Sequence, residues 1–158
     1  MATRCSPSRP AGWSPRDGVP ENTPTEPLPP ADIESAPGNY VVQDLGGGRF
    51  ALYAHLLPGS VRVRPGERLR EGEVLGQVGN SGNSTEPHLH FHVTDGPSPL
   101  AANGLPYVFE RFVLEARVEL TGTEPAIVPL SPPSVERRRL PLNLDVIRFH
   151  ERHPRSTR

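Results

Sequence analysis

The stretch Pro87-His88-Leu89-His90-Phe91-His92-Val93 alternates imidazole and apolar side chains, and a period of two is the pattern of a β-strand. Successive strand side chains point to opposite faces, which places His88, His90 and His92 on one face and Leu89, Phe91 and Val93 on the other. Neutral imidazole is the commonest metal ligand and a base near neutrality, so such a face suits a metal or general-base site. A half-buried strand whose polar face is merely rich in histidine is the plainer alternative.

The surrounding sequence extends the β reading. Asn39–Leu45 and Arg49–His55 are β-prone and flank Gly46-Gly47-Gly48, a loop that permits positive φ, so the pair reads as a hairpin. In its second arm Phe50, Leu52 and Ala54 share one face and Ala51, Tyr53 and His55 the other. Val61–Gly66 and Arg70–Val78 read as short strands joined by tight turns, and Gly79–Ser84 is a polar loop leading into the histidine strand. That loop has two readings, a turn that needs Gly and Asn for its φ angles or a backbone that pairs with an extended peptide. Phe112–Leu120 alternates as one further strand. Short strands, Gly/Pro turns and no long helical pattern define an all-β domain.

The chain of 158 residues suits one domain with tails, divided as a Pro-rich irregular segment 1–37, a β domain 38–120 and a Pro/Arg-rich tail 121–158. Its 17 basic and 18 acidic residues nearly balance, and Arg137-Arg138-Arg139 lacks an aromatic platform, so nucleic acid is not an expected partner. The single Cys5 excludes an internal disulfide and a thiolate cluster. No apolar run approaches the roughly 20 residues of a membrane span, and residues 1–37 show no apolar core of a secretory signal.

Three pieces in order carry a family resemblance: Tyr53-Ala54-His55-Leu56, the glycine series Gly66, Gly72, Gly76, Gly79 and Gly82, and Pro87-His88-Leu89-His90-Phe91. Together, over Gly38 to Thr94, the chain resembles the lysostaphin-type (LytM-like) zinc metallopeptidases, endopeptidases that cut peptide cross-links of peptidoglycan. The run from Asp95 to Phe109 looks like a subset of bacterial members. The resemblance implies a folded antiparallel sheet, the duplicated hybrid motif, with a groove on its face. It implies His55 and His88 as catalytic residues, His90 as a zinc ligand, zinc as cofactor, peptidoglycan peptide as substrate or ligand, and an address in the cell envelope or outside the cell. His92, one step further along the same face, reads as a partner of a ligand rather than a ligand.

The family takes two more zinc ligands from a His-x3-Asp pattern upstream of the Tyr-Ala-His strand, whereas residues 1–54 hold no histidine, and Asp17, Asp32 and Asp44 follow none at that spacing. A catalytic zinc normally takes three protein ligands and one open position. Two expectations follow: a start downstream of the natural one, leaving the fold incomplete at its N-terminal side, or a relative that lost the metal and kept the fold as a peptidoglycan- or protein-binding module. A biotinyl- or lipoyl-type carrier is excluded, because those carriers modify lysine and the chain has none. A phosphocarrier with paired histidines is the remaining alternative, and Pro-His-Leu-His-Phe with its Tyr-Ala-His partner favours the peptidase.

Overall fold

The computed structural model describes residues 16–23, 34–122 and 124–149, and every described element is a strand or an irregular segment. Cys5, Asp32 and the last nine residues lie outside the described residues. The chain divides into two compact units, one ending at Leu105 and one beginning at Pro106.

The first unit is an antiparallel sheet of β1 (Asn39–Gly46), β2 (Arg49–Leu56), β3 (His90–Thr94) and β4 (Gly104–Leu105), in that spatial order. β1 and β2 form the expected hairpin, and its glycines take φ of 80°, 65° and 71° at Gly46, Gly47 and Gly48, a left-handed run that other residues resist. The register pairs Leu52 with His92, Tyr53 with Phe91 and Ala54 with His90. His90 and His92 therefore share a face with Leu52 and Ala54, while Phe91 and Val93 lie with Tyr53 and Ala51 on the other, as the alternation requires. The regular part of the histidine strand begins at His90; His88 joins through a single bridge to Gly79. Val41, Ala51, Leu52, Ala54, Leu56 and Val93 form the buried core of this unit.

Residues 57–78 form a two-turned arm rather than two strands. The turns at Arg64–Glu67 and Arg70–Glu73 are built alike: each glutamate amide donates to the arginine carbonyl three residues back, and its carboxylate accepts from that arginine's own amide. Val74 and Val78 are more than half exposed, so neither side of the arm is buried enough to drive a regular ladder.

The second unit is a three-stranded antiparallel sheet in the order β6 (Ala126–Arg139), β5 (Phe109–Glu119), β7 (Asp145–Arg148). The stretch from residue 121 thus supplies two strands, where its composition predicts a tail, and β5 groups with it rather than with the histidine sheet. Pro129, Pro132 and Pro133 mislead because β6 is an edge strand, the place in a sheet where proline is tolerated. Within β5 the register slips between Leu114 and Ala116: Leu114 pairs with Ile147 and Ala116 with Val146, adjacent residues on opposite faces of β7. This bulge breaks the single apolar face read for Phe112–Leu120, and Phe112, Val113, Leu114 and Ala116 are all buried.

Candidate active site: a cluster of imidazoles

Three of the histidines meet on the His90 face of the sheet. The ring of His55 lies 4.8 Å from that of His88 and 5.6 Å from that of His90, centre to centre. Each offers a ring nitrogen, and these three atoms lie within 4.8 Å of one another. No other group of three or more His, Cys, Asp or Glu side chains among the described residues could hold a metal ion.

Strict alternation sends His55 away from His90, since it follows Ala54, the cross-strand partner of His90. The backbone breaks the alternation: His55 has φ of 61°, a left-handed conformation uncommon outside glycine but several-fold enriched in Asn, Asp and His. Ala54, His55 and Leu56 are consequently buried in succession, and the His55 ring turns into the cluster.

What holds this turn is the Gly79–Ser84 loop. His55 Nδ1 lies 2.8 Å from the Ser81 carbonyl oxygen, and its amide donates to the Pro37 carbonyl. Ser81 Oγ donates to the Leu56 carbonyl at 2.8 Å and accepts the Asn39 amide at 2.9 Å. Asn39, fully buried, sends its amide group to the carbonyls of Leu56 and Val19. The stretch 16–23 clamps the loop from the other side, with Asn22 Nδ2 bonded to the carbonyls of Gly82 and Ser84 and Glu21 accepting the Asn80 amide. Asn80, Ser81 and Ser84 are nearly inaccessible, so the loop is part of the scaffold, and the reading of it as a peptide-pairing edge is corrected. Asn39, Ser81 and Asn22 are functional supports that no sequence pattern announces, because their partners are backbone atoms distant in the chain.

Hydrogen bonding also fixes ring nitrogens. A carbonyl only accepts, so Nδ1 of His55 carries a proton, and so does Nδ1 of His88, 2.9 Å from the Glu86 carbonyl. In the neutral ring each then keeps its lone pair on Nε2. Burial, outweighing the Ser81 bond, lowers the pKa of His55 below the usual histidine value. Burial also lowers that of His90, helped by the neighbouring rings of His92, His55 and His88. Both rings are thus held in the neutral form that ligates metal or accepts a proton.

A cavity of about 280 Å³ adjoins His55, His90 and His92, with Pro37, Leu52 and Leu100 among its apolar walls. A larger one of about 790 Å³ opens beside Tyr53 and Leu89; Tyr53 lies on the opposite face of the sheet from His90, and no histidine lines this cavity.

Residues 30–102 match the profile of Peptidase family M23, and the chain carries a LytM-like M23 domain over that span. Over 65 residues it is 35% identical to the peptidoglycan DD-endopeptidase ShyA of Vibrio cholerae, 41% of this chain and 15% of that protein. It is 38% identical over 61 residues to the cell division protein DipM of Caulobacter vibrioides, 39% of this chain and 10% of that one. Against the DD-carboxypeptidase/endopeptidase Mpg of Neisseria meningitidis the identity is 40% over 63 residues, 40% of this chain and 14% of the relative. The chain therefore spans a small part of each relative. No solved structure matches it.

Proposed function

We propose that this chain hydrolyses peptide bonds of peptidoglycan with the help of a zinc ion held by His90, with His55 and His88 handling protons. The observation that carries the reading is the convergence of three imidazoles, two of them with Nδ1 committed to backbone carbonyls. Imidazole nitrogen is a donor that zinc takes readily, and His90 supplies one of the three protein ligands that a catalytic zinc normally takes. When bound, zinc polarises a scissile carbonyl and acidifies a water.

The residues of the chain do the rest. His55, neutral and with Nε2 as its free nitrogen, takes the proton of the attacking water as that oxygen bonds to the carbonyl carbon. The imidazolium so formed carries protons on both nitrogens. It returns one to the amine nitrogen as the carbon–nitrogen bond breaks. His88, its Nδ1 fixed by the Glu86 carbonyl and its ring centre 4.8 Å from that of His55, is the second imidazole at the reacting centre and handles protons beside it. The small apolar cavity beside His90 accepts a short side chain of the substrate.

A second reading has a specific observation behind it: the three donors are close enough for His55, His88 and His90 all to ligate one ion. One experiment separates the two. Zinc content and hydrolysis of cross-linked muropeptides are measured for the wild type and for His55→Ala, His88→Ala and His90→Ala. Loss of metal in His90→Ala alone, with loss of hydrolysis in all three, supports the proposed division of roles. Loss of metal in all three supports the three-ligand centre, and no cleavage by metal-loaded wild type defeats the peptidase reading.

A further inference from the structure

One contact in the cluster has no part in the roles above. His90 Nε2 lies 2.8 Å from His92 Nδ1, with the two rings nearly perpendicular and their centres 4.9 Å apart. A separation of 2.8 Å between two ring nitrogens is a hydrogen bond, so one nitrogen carries the proton and the other presents its lone pair. Because Nε2 of His90 is engaged, Nδ1 is the atom it has left for a cation. That atom has a lone pair only if the proton of the neutral ring sits on Nε2.

We infer that His92 is the positioning residue of the metal site: its Nδ1 accepts from His90 Nε2–H and thereby holds His90 in the tautomer and orientation that leave Nδ1 bare. The inference rests on the reading of His90 as a metal ligand. A ligating histidine ordinarily gives its second ring N–H to a carboxylate, a backbone carbonyl or water, and this fixes the ring and raises its basicity. Here no carboxylate or carbonyl bonded to the His90 ring is found among the described residues, and an imidazole occupies that place. The position follows from the fold. His90 and His92 are two apart on β3, opposite Ala54 and Leu52, so both rings stand on the same face of the sheet. His92 is only half-buried, so its replacement should spare the sheet.

The test uses the whole chain labelled with ¹⁵N, as wild type, His92→Ala and His92→Gln. The Gln side-chain oxygen can accept the same hydrogen bond. Long-range ¹H–¹⁵N spectra report which nitrogen of His90 is protonated in the metal-free protein, and competition with a chelator gives the zinc affinity. The expected result is Nε2–H on His90 in the wild type, a mixture of tautomers in His92→Ala, and zinc binding weakened by about 10–100-fold there. His92→Gln should recover most of both. An unchanged tautomer, or equal zinc affinity in wild type and His92→Ala, overturns the inference. If wild type binds no zinc, the ligand reading of His90 fails separately, and the metal-free tautomers still decide the role of His92. A circular-dichroism melt checks that each variant is folded.

Discussion

Nδ1 of His55 lies 2.8 Å from the carbonyl oxygen of Ser81, a residue 26 positions further along the chain. The same serine ties the amide of Asn39 and the carbonyl of Leu56 through its hydroxyl. One residue therefore locks the end of the hairpin, the loop before the histidine strand and the orientation of a site imidazole. The His55 backbone conformation is disfavoured by itself and persists because these bonds over-determine it.

Ser81→Ala removes the hydroxyl and leaves the Asn39 amide and the Leu56 carbonyl buried without that partner. An unsatisfied buried polar group costs about 1–3 kcal/mol. The carbonyl that holds His55 is main chain and survives the substitution. The expected outcome in urea titration is a lower midpoint with an unchanged slope, and zinc binding that persists while the protein is folded.

Gly38→Ala and Gly82→Ala should be more damaging. Both glycines have left-handed φ, 64° and 76°, where an alanine costs about 1–2 kcal/mol. A Cβ at Gly38 would sit 2.4 Å from the Ser81 carbonyl oxygen, and one at Gly82 would sit 2.3 Å from the Gly38 nitrogen. Overpacking against backbone adds about 1–3 kcal/mol. Gly48→Ala, where a Cβ meets nothing within 4 Å, serves as the control for backbone conformation alone. Thermal melts should rank Gly48→Ala well above the other two.

Much of this architecture was legible in residue order. The hairpin around Gly46–Gly48 and the alternation of His90-Phe91-His92-Val93 are local patterns with one physical solution each, and both are found. His55 reached the site by its family motif, since its strand periodicity points it to the wrong face; the left-handed turn that corrects this is set by tertiary hydrogen bonds. The Gly79–Ser84 loop reads in the sequence as a polar turn or a peptide-pairing edge, and which groups its polarity serves, buried backbone atoms distant in the chain, is set by tertiary contacts that the sequence does not display. β6 was hidden by its prolines, which an edge position accommodates.

His55→Asn separates fold from chemistry. Asparagine tolerates the left-handed region, so the backbone at φ of 61° should persist, whereas valine there should unfold the hairpin end. Without the imidazole, hydrolysis should drop by about 10²–10⁴-fold, the usual contribution of a general base. A far-ultraviolet spectrum and melt like the wild type, together with muropeptide cleavage reduced by that factor, is the expected pair of results. Cleavage at the wild-type rate would remove His55 from the reaction.

Acid should weaken the fold through His55 and His90. Both pKa values are lowered in the folded chain from the ordinary value of 6.5, chiefly by burial. Below that value the unfolded chain binds more protons than the folded one, so stability rises with pH across the window between the folded and unfolded pKa. The contribution is complete above about pH 6.5 and is lost as the pH falls through the folded values. Urea midpoints measured from about pH 8 down to about pH 5 should fall on the acid side, and His90→Ala should flatten the decline.

Zinc should raise the stability of the metal-free protein by mass action. An ion that binds only the folded state at 100 times its Kd adds about 2.7 kcal/mol. For a domain of this size that corresponds to a rise in Tm of about 10–20 °C. His90→Ala should abolish the shift, and a chelator should reverse it in the wild type. Magnesium should produce no comparable shift, because it prefers oxygen donors and dehydrates reluctantly, while the three atoms gathered here are imidazole nitrogens. An equal response to magnesium and zinc would mean that the ion acts elsewhere, on the exposed carboxylates, and that the imidazole cluster is not the metal site.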